Sequence, residues 1–571
     1  MNHSIAALRD RARAWVEGDP DPQTRAALRD VLERGDAEVL VDLVDGQLEF
    51  GTAGLRGVVG PGPRRMNRAV VIRTTRGLAD HVLDKADGTP LAVVGRDARN
   101  MSEEFARDAI GVLAAAGIEV RAFPDPVPTP LVAYAARRLG ADTAIVITAS
   151  HNPPEYNGYK VYAANAAQII PPEDAEIAAA IDETGPASAI PRLEQPWDAP
   201  NVSPLGPELA EEFLADIDAL RPDRDGASLT IVYTPLHGVA GALTTAALRR
   251  SGRDEVRSVA AQADPDPGFP TVEFPNPEEP GALDLARAAA RELDADLVLA
   301  NDPDGDRLAA ALPENGGWRA LTGNQIGALM GHYVLTQYTG NATPLVVSSI
   351  VSSPMLAEIA EHRGARYEAT LTGFKWICNA ALALTEDEEL EFVFGYEEAL
   401  GFTVGDLVRD KDGIGAAVIF ADLAAGLRAE GRTVRDQLDG LYRDYGLWVS
   451  VQRSVLLEGD EGQERIDAAM RRIGETQPDE LAGRSVTAVT DFRVGAEHRP
   501  WWLPETPLVR MQIEGGSRVL VRPSGTEPKL KFYADLRRSL EPDEDAGTAE
   551  DRLRAEAEDV AGELTTFLGL G

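Results

Sequence analysis

Cysteine is almost missing from this 571-residue chain: Cys378 stands alone, so no intrachain disulfide is available and the composition suits a reducing compartment. Lysine is nearly as scarce, with only six among 56 basic residues. Long apolar runs are absent too. The start of the chain, Met1 to Arg11, has no basic leader with an apolar core, and these absences together predict a cytoplasmic, non-membrane protein. Positive charge is short overall: 93 acidic residues give a net charge of −37, which argues against nucleic acid or an anionic membrane as partner, because both need a basic footprint. An anionic small molecule would instead have to be held by locally concentrated arginine and lysine.

The scarcity of lysine gives each one weight. Arginine carries nearly all the surface charge, so a lysine calls for a chemical reason, and five of the six fall inside or beside the motifs described below. Length predicts three or four domains. Residues 1 to about 45 read as helical, with Ala6, Leu8, Ala12, Trp15 and Val16 as apolar positions and Pro20 to Pro22 as a break. Short apolar runs at 91–94, 145–147, 231–233, 297–299 and 345–347 then alternate with helical stretches, the pattern of repeated α/β units. Pro/Asp/Gly-rich stretches near 183–207, 222–227 and 264–281 read as linkers or surface loops. From about 450 the pattern changes to closely spaced strands (449–451, 519–521, 530–533) and a charged helix over 546–567, a smaller α+β module.

Four loops carry candidate chemistry. The first is Thr-Ala-Ser-His-Asn-Pro-Pro-Glu-Tyr-Asn-Gly-Tyr-Lys over 148–160, after the buried-strand run Ala144-Ile145-Val146-Ile147. Ser150 lies where open α/β sheets present ligands, with His151 and Lys160 near enough in sequence to move its proton, although the same residue types also make an ordinary turn. The second, Asn-Asp-Pro-Asp-Gly-Asp-Arg over 301–307, sets Asp302, Asp304 and Asp306 at alternate positions; hard oxygen donors in that spacing suit Mg²⁺. An EF-hand fits poorly because its glycine belongs at the sixth position. A haloacid-dehalogenase loop fits poorly because Asp306-Arg307 stands in place of its threonine.

The third loop follows Phe392-Val393-Phe394 and carries Glu397-Glu398, two acceptors suited to sugar hydroxyls, or alternatively the acidic start of a helix. Thr372, Gly373 and Lys411 lie in the same expected domain. The fourth, Arg-Pro-Ser-Gly-Thr-Glu-Pro over 522–528, is the strongest anion site: Arg522 for a phosphate, Ser524 and Thr526 for hydroxyl donors, Gly525 for close backbone approach. A glycine-rich segment over 51–57 contributes Arg56.

In this order, the four loops closely resemble the α-D-phosphohexomutase superfamily, which includes phosphoglucomutases and phosphomannomutases, over nearly the whole chain. The resemblance implies an α/β fold of three domains of related topology and a smaller C-terminal α+β domain around one central cleft; the changes of pattern along the chain set the boundaries at 1–207, 208–321, 322–449 and 450–571. It implies an isomerase. Ser150 would be carried as phosphoserine, Mg²⁺ would be held by Asp302, Asp304, Asp306 and the serine, and a sugar 1,6-bisphosphate would charge the enzyme. By the same resemblance Arg56 and Arg307 would spread transition-state charge, and Lys160, with a lowered pKa, would be the general acid/base with His151 secondary. Thr372, Gly373, Glu397, Glu398, Lys411, Arg522, Ser524, Gly525 and Thr526 would hold a small-molecule sugar phosphate. Oligomeric state is not implied.

The glucose-type sugar loop of that superfamily reads Gly-Glu-Glu-Ser, whereas this chain has Ala399 in the serine position. With the 50–57 and 372–376 segments, this resembles the longer branch that includes phosphopentomutases and glucose-bisphosphate-forming enzymes. Phosphate exchange between C1 and C6 of glucose or mannose is therefore the leading expectation. A pentose phosphate is the alternative, glucose 1,6-bisphosphate synthesis is a further one, and a non-catalytic sugar-phosphate-binding protein is a remote one.

Overall fold

The computed structural model describes residues 4–51, 54–221, 226–387, 389–457, 460–524 and 528–570, and divides into two compact units, 1–321 with 401–425, and 322–400 with 426–571. Part of the expected loop at 222–227, the pair Thr52 and Ala53, and the predicted phosphate-site residues Gly525 and Thr526 lie outside the described residues.

The first unit opens with helices Ile5–Gly18, Pro22–Arg34 and Ala37–Val44, which share a small core of Leu8, Ala12, Val16, Leu28, Val31 and Leu43. The break between the first two is made by capping. Asp21 accepts from the Gln23 N–H while Pro22 sits at the first helical position, where no donor is lost. Leu8, Ala12 and Val16 repeat every four residues and face inward, whereas Ala6 is exposed.

Next comes a six-stranded sheet, in the order Leu55–Val58, Tyr156–Tyr162, Thr143–Ile147, Leu91–Arg96, Glu119–Ala122, Val202–Pro204. Its last four strands are parallel and the first two join antiparallel. Thr143–Ile147 is buried at every position, as expected of a central parallel strand covered on both faces. A second, five-stranded sheet places Leu297–Asn301 beside Ile231–Thr234 in parallel, with Leu308–Glu314 returning antiparallel.

The second unit has a parallel set, Arg366–Thr370, Thr343–Ser349 and Leu390–Glu397, with helices Gly323–Gln337, Met355–His362 and Phe374–Leu384. Its other sheet has six strands, Leu447–Leu456, Lys529–Arg538, Arg518–Pro523, Val509–Ile513, Arg484–Asp491 and Glu480–Leu481, each antiparallel to the next. The closing helix Ala546–Phe567 packs on the first two of these. Three α/β domains followed by an antiparallel α+β domain is the expected fold class. Among the described residues no helix is long and apolar enough to cross a membrane.

Candidate active site

The buried strand Thr143–Ile147 delivers the chain to Ser150, whose backbone is left-handed (φ 50°), a conformation that costs a non-glycine residue on the order of 1 kcal/mol. Two devices hold it there. The Ser150 N–H donates to Thr148 Oγ1 (2.9 Å), and the buried Arg99 donates to the carbonyls of Ser150 (2.7 Å), Asn152 and Pro153 (2.8 Å). Arg99 and its partner Asp97, which accepts from Ser102 Oγ (2.6 Å) and the Arg99 N–H (2.9 Å), were not read from the sequence. Their signal was position, since Arg96-Asp97-Ala98-Arg99 leaves the neighbouring parallel strand at the same sheet edge.

The aspartate loop arrives from the adjoining sheet. Gly305 is left-handed (φ 74°), and a Cβ there would stand 2.7 Å from the Ala240 Cβ, so the tight turn admits only glycine without a shift. Asp302, Asp304 and Asp306 are buried to 1% exposure or less, and one carboxylate oxygen from each lies within 4.8 Å of the others. Asn301 closes the loop: its amide donates to the Arg307 carbonyl (2.7 Å) and the Gly413 carbonyl (3.1 Å), and its oxygen accepts from Tyr233 (2.8 Å) and Thr244 (3.0 Å).

These two loops meet directly. Ser150 Oγ donates to Asp302 Oδ2 at 2.6 Å and lies 3.1 Å from His151 Nδ1. Lys160 Nζ donates to Asp304 Oδ2 and Asp306 Oδ2, both at 2.7 Å, and Thr129 Oγ1 adds a bond to Asp304 (2.8 Å). Lys411, expected with the sugar loop, falls instead in the first unit, 3.2 Å from Asp306 Oδ2, and is held by Asp410. Asp410 in turn accepts from Tyr162 and Gln168. Arg307 reaches toward Glu278 (3.7 Å) and Asp306 (3.9 Å). Arg56 is exposed and donates to Asn152 Oδ1 (2.9 Å).

Packing three carboxylates out of water separates their acidities. Burial, then Asp304 and Asp306, push Asp302 well above the usual carboxylate range. Burial raises Asp304 and Asp306 as well, but Lys160 with hydrogen bonds from Asp302 and Thr129 outweighs it at Asp304, and Lys160, Lys411 and Arg307 outweigh burial and Asp304 at Asp306, so both are lowered. The lowered pKa expected for Lys160 is overturned. Burial does pull it down, but Asp304 and Asp306 pull harder the other way, and the ammonium is held above its ordinary value. Burial, then Arg307 and Arg56, lower His151 well below its usual value and keep it neutral at pH 7.

The donor set suits a small hard cation. Oδ1 of Asp304 and Oδ1 of Asp306 are buried and meet no hydrogen-bond partner, leaving oxygen lone pairs that a bound cation would satisfy.

In the second unit, Gly373 (φ 116°) donates its N–H to Glu397 Oε1 at 2.7 Å, so Thr372 and Gly373 lie against the glutamate pair. Glu398 Oε2 accepts from Ser349 Oγ (2.9 Å) and Ser352 Oγ (3.0 Å). Those serines were also missed; they sit at the exit of Thr343–Ser349, the position that flagged Ser150. Arg522 is the penultimate residue of the strand Arg518–Pro523, and the Ser524 N–H donates to the Lys529 carbonyl (2.8 Å). Tyr533 links the two features. Burial raises its phenol, with Glu398 and Glu397 adding to the rise and Arg522 opposing it.

Three consecutive segments match the family described as phosphoglucomutase/phosphomannomutase, alpha/beta/alpha domain I over residues 47–187, domain II over 210–316 and domain III over 322–445. A probable phosphomannomutase of Haemophilus influenzae is 39% identical over 85% of this chain and 96% of its own length. A probable phosphoribomutase of Schizosaccharomyces pombe is 35% identical over 92% of this chain and 93% of its own. Among solved structures, a putative phosphomannomutase from Thermus thermophilus superposes with a TM-score of 0.68 at 24% identity, covering 91% of this chain and 99% of that one, a likeness of fold.

Proposed function

Because the chain belongs to the phosphoglucomutase/phosphomannomutase family, whose members are phosphomutases of the isomerase class, we propose that it exchanges phosphate between C1 and C6 of a hexose, glucose or mannose, through a phosphorylated Ser150. The observation that carries this reading is the 2.6 Å bond from Ser150 Oγ to the buried aspartate cluster. A structural serine needs no such company, and three buried carboxylates are costly unless they serve a charged ligand.

We assign the four loops to domains 1–207, 208–321, 322–449 and 450–571. Asp302, Asp304, Asp306 and Ser150 would hold Mg²⁺, which when bound supplies charge neutralisation at the transferring phosphoryl group. In the forward step a sugar hydroxyl attacks the phosphorus of phosphoserine. The O–P bond to Ser150 breaks, the new O–P bond to the sugar forms, the hydroxyl proton leaves to a base and Ser150 Oγ takes one up. The resulting sugar bisphosphate returns its other phosphate to Ser150 by the reverse sequence, so a trace of sugar 1,6-bisphosphate charges the enzyme.

His151, neutral and 3.1 Å from the serine oxygen, is the secondary group, placed for the proton that Ser150 Oγ takes up or gives back. Lys160 begins as an ammonium. It is the proposed general acid/base, and burial, the largest single influence on it, works to lower its pKa. Arg56 and Arg307 face the same charge. Glu397, Glu398, Thr372 and Gly373 take the sugar ring, and Arg522, Ser524, Gly525 and Thr526 the phosphate that is not reacting.

A pentose phosphate as substrate is a second reading, favoured by Ala399 and by the match to a phosphoribomutase over 92% of the chain. Measuring kcat/KM for glucose 1-phosphate, mannose 1-phosphate and ribose 1-phosphate, with Mg²⁺ and a trace of glucose 1,6-bisphosphate, separates the two. A hexose preference upholds the first reading; a ribose preference moves the assignment to a phosphopentomutase with the same chemistry. Absence of turnover on all three defeats both.

A further inference from the structure

The three N-terminal helices end before residue 47, where the family match begins, and carry none of the loops above. Where the first of them meets the first sheet's domain they leave a cavity of about 330 Å³, within the range of small-molecule sites. Arg11 and Trp15 wall it from the N-terminal helix, Arg73 from the helix Arg68–Lys85, and Pro63 and Pro186 from loops.

Its two cations bond to neutral groups. Arg11 donates to the Gly46 carbonyl (3.2 Å), and Arg73 to Thr184 Oγ1 (3.1 Å) and the Ile181 carbonyl (3.4 Å). All three acceptors are neutral oxygens. The nearby carboxylate of Asp182 acts on Arg73 only through space and accepts instead from Gln47 (2.9 Å). Acidic residues outnumber basic ones 93 to 56, yet two arginines with neutral partners share this one cavity, which concentrates positive charge there. The guanidinium of Arg73 also lies 6.0 Å from the centre of the Trp15 ring, so charge and a flat apolar wall are presented together.

We propose that this cavity is a second ligand site, built by the N-terminal helices and independent of the mutase reading. It would take a small organic anion whose carboxylate or phosphate lies between Arg11 and Arg73, with a flat ring against Trp15, Pro63 and Pro186. Calorimetric titration of the full chain with benzoate, phenyl phosphate and the neutral benzamide tests it.

At least one anion is expected to bind one to one and at least about tenfold tighter than benzamide, with Arg11→Gln and Arg73→Lys each weakening it by about tenfold or more, the value of a charge-assisted bond. The tighter anion identifies the headgroup. The circular dichroism and melting temperature of Arg11→Gln and Arg73→Lys stay at the wild-type values, which reports that both variants are folded. Equal binding of benzamide, affinities unchanged in both variants, or no saturable heat from either anion would overturn the proposal.

Discussion

The loops of the first unit and those of the second leave their strands in the same way but use their polar atoms differently. Around Ser150, a serine, three aspartates and two lysines bond to one another, all buried except Lys411, which is partly exposed. Around Glu397 and Glu398, each carboxylate is fixed by small donors, a glycine N–H or two serine hydroxyls, and remains only half-buried. Converging buried charge is the signature of a centre that handles charge. Acceptors pinned at a surface are the signature of recognition.

If that contrast is right, Ser150→Ala should be the most damaging change, lowering kcat by about 10⁴-fold or more while leaving the circular dichroism and melting temperature unaltered. Near-normal turnover would remove the first region's claim to the chemistry. Asp304→Asn should lower kcat by about 10²–10³-fold and weaken Mg²⁺ binding in a direct titration, and chelating the metal from the wild type should stop turnover. Glu398→Gln should behave differently, raising KM by about tenfold with kcat nearly kept, because it removes binding that is equal in ground and transition states. A kcat loss as deep as that of Asp304→Asn would erase the distinction between the two regions.

The smallest effect concerns stability. Burial raises Asp412, which caps the helix Gly413–Ala429, to about 6. The folded protein therefore binds this proton below about pH 6, whereas the unfolded chain does so only near 4. The contribution is fully present below pH 4 and is lost as pH rises through 6. Asp412→Asn should flatten that slope, which amounts to about 1.3 kcal/mol between pH 5 and 7, in denaturant midpoints compared at those two values.

Much of this was legible in the sequence because the loops are local. Asp302, Asp304 and Asp306 alternate within five residues, and the apolar runs at 145–147 and 297–299 lie inside the strands that deliver Ser150 and the aspartates. What escaped depends on distance in sequence. Arg99 supports the serine loop from another strand, and Asn301 ties its loop to residue 413. Lys411, read as part of the sugar domain because it is near Glu398 in sequence, instead joins Asp306 in the first unit. The direction of the Lys160 shift was misread for the same reason. Desolvation can be anticipated from burial, but the two carboxylates that reverse it lie more than 140 residues away. Gly525 and Thr526 lie outside the described residues.

The most direct test of the central claim is peptide mass spectrometry of the enzyme after incubation with glucose 1,6-bisphosphate and Mg²⁺. One phosphate on Ser150, resistant to hydroxylamine and lost on addition of sugar monophosphate, is the predicted result. No phosphate on Ser150, or a hydroxylamine-labile phosphate on an aspartate of the 302–306 loop, would contradict it.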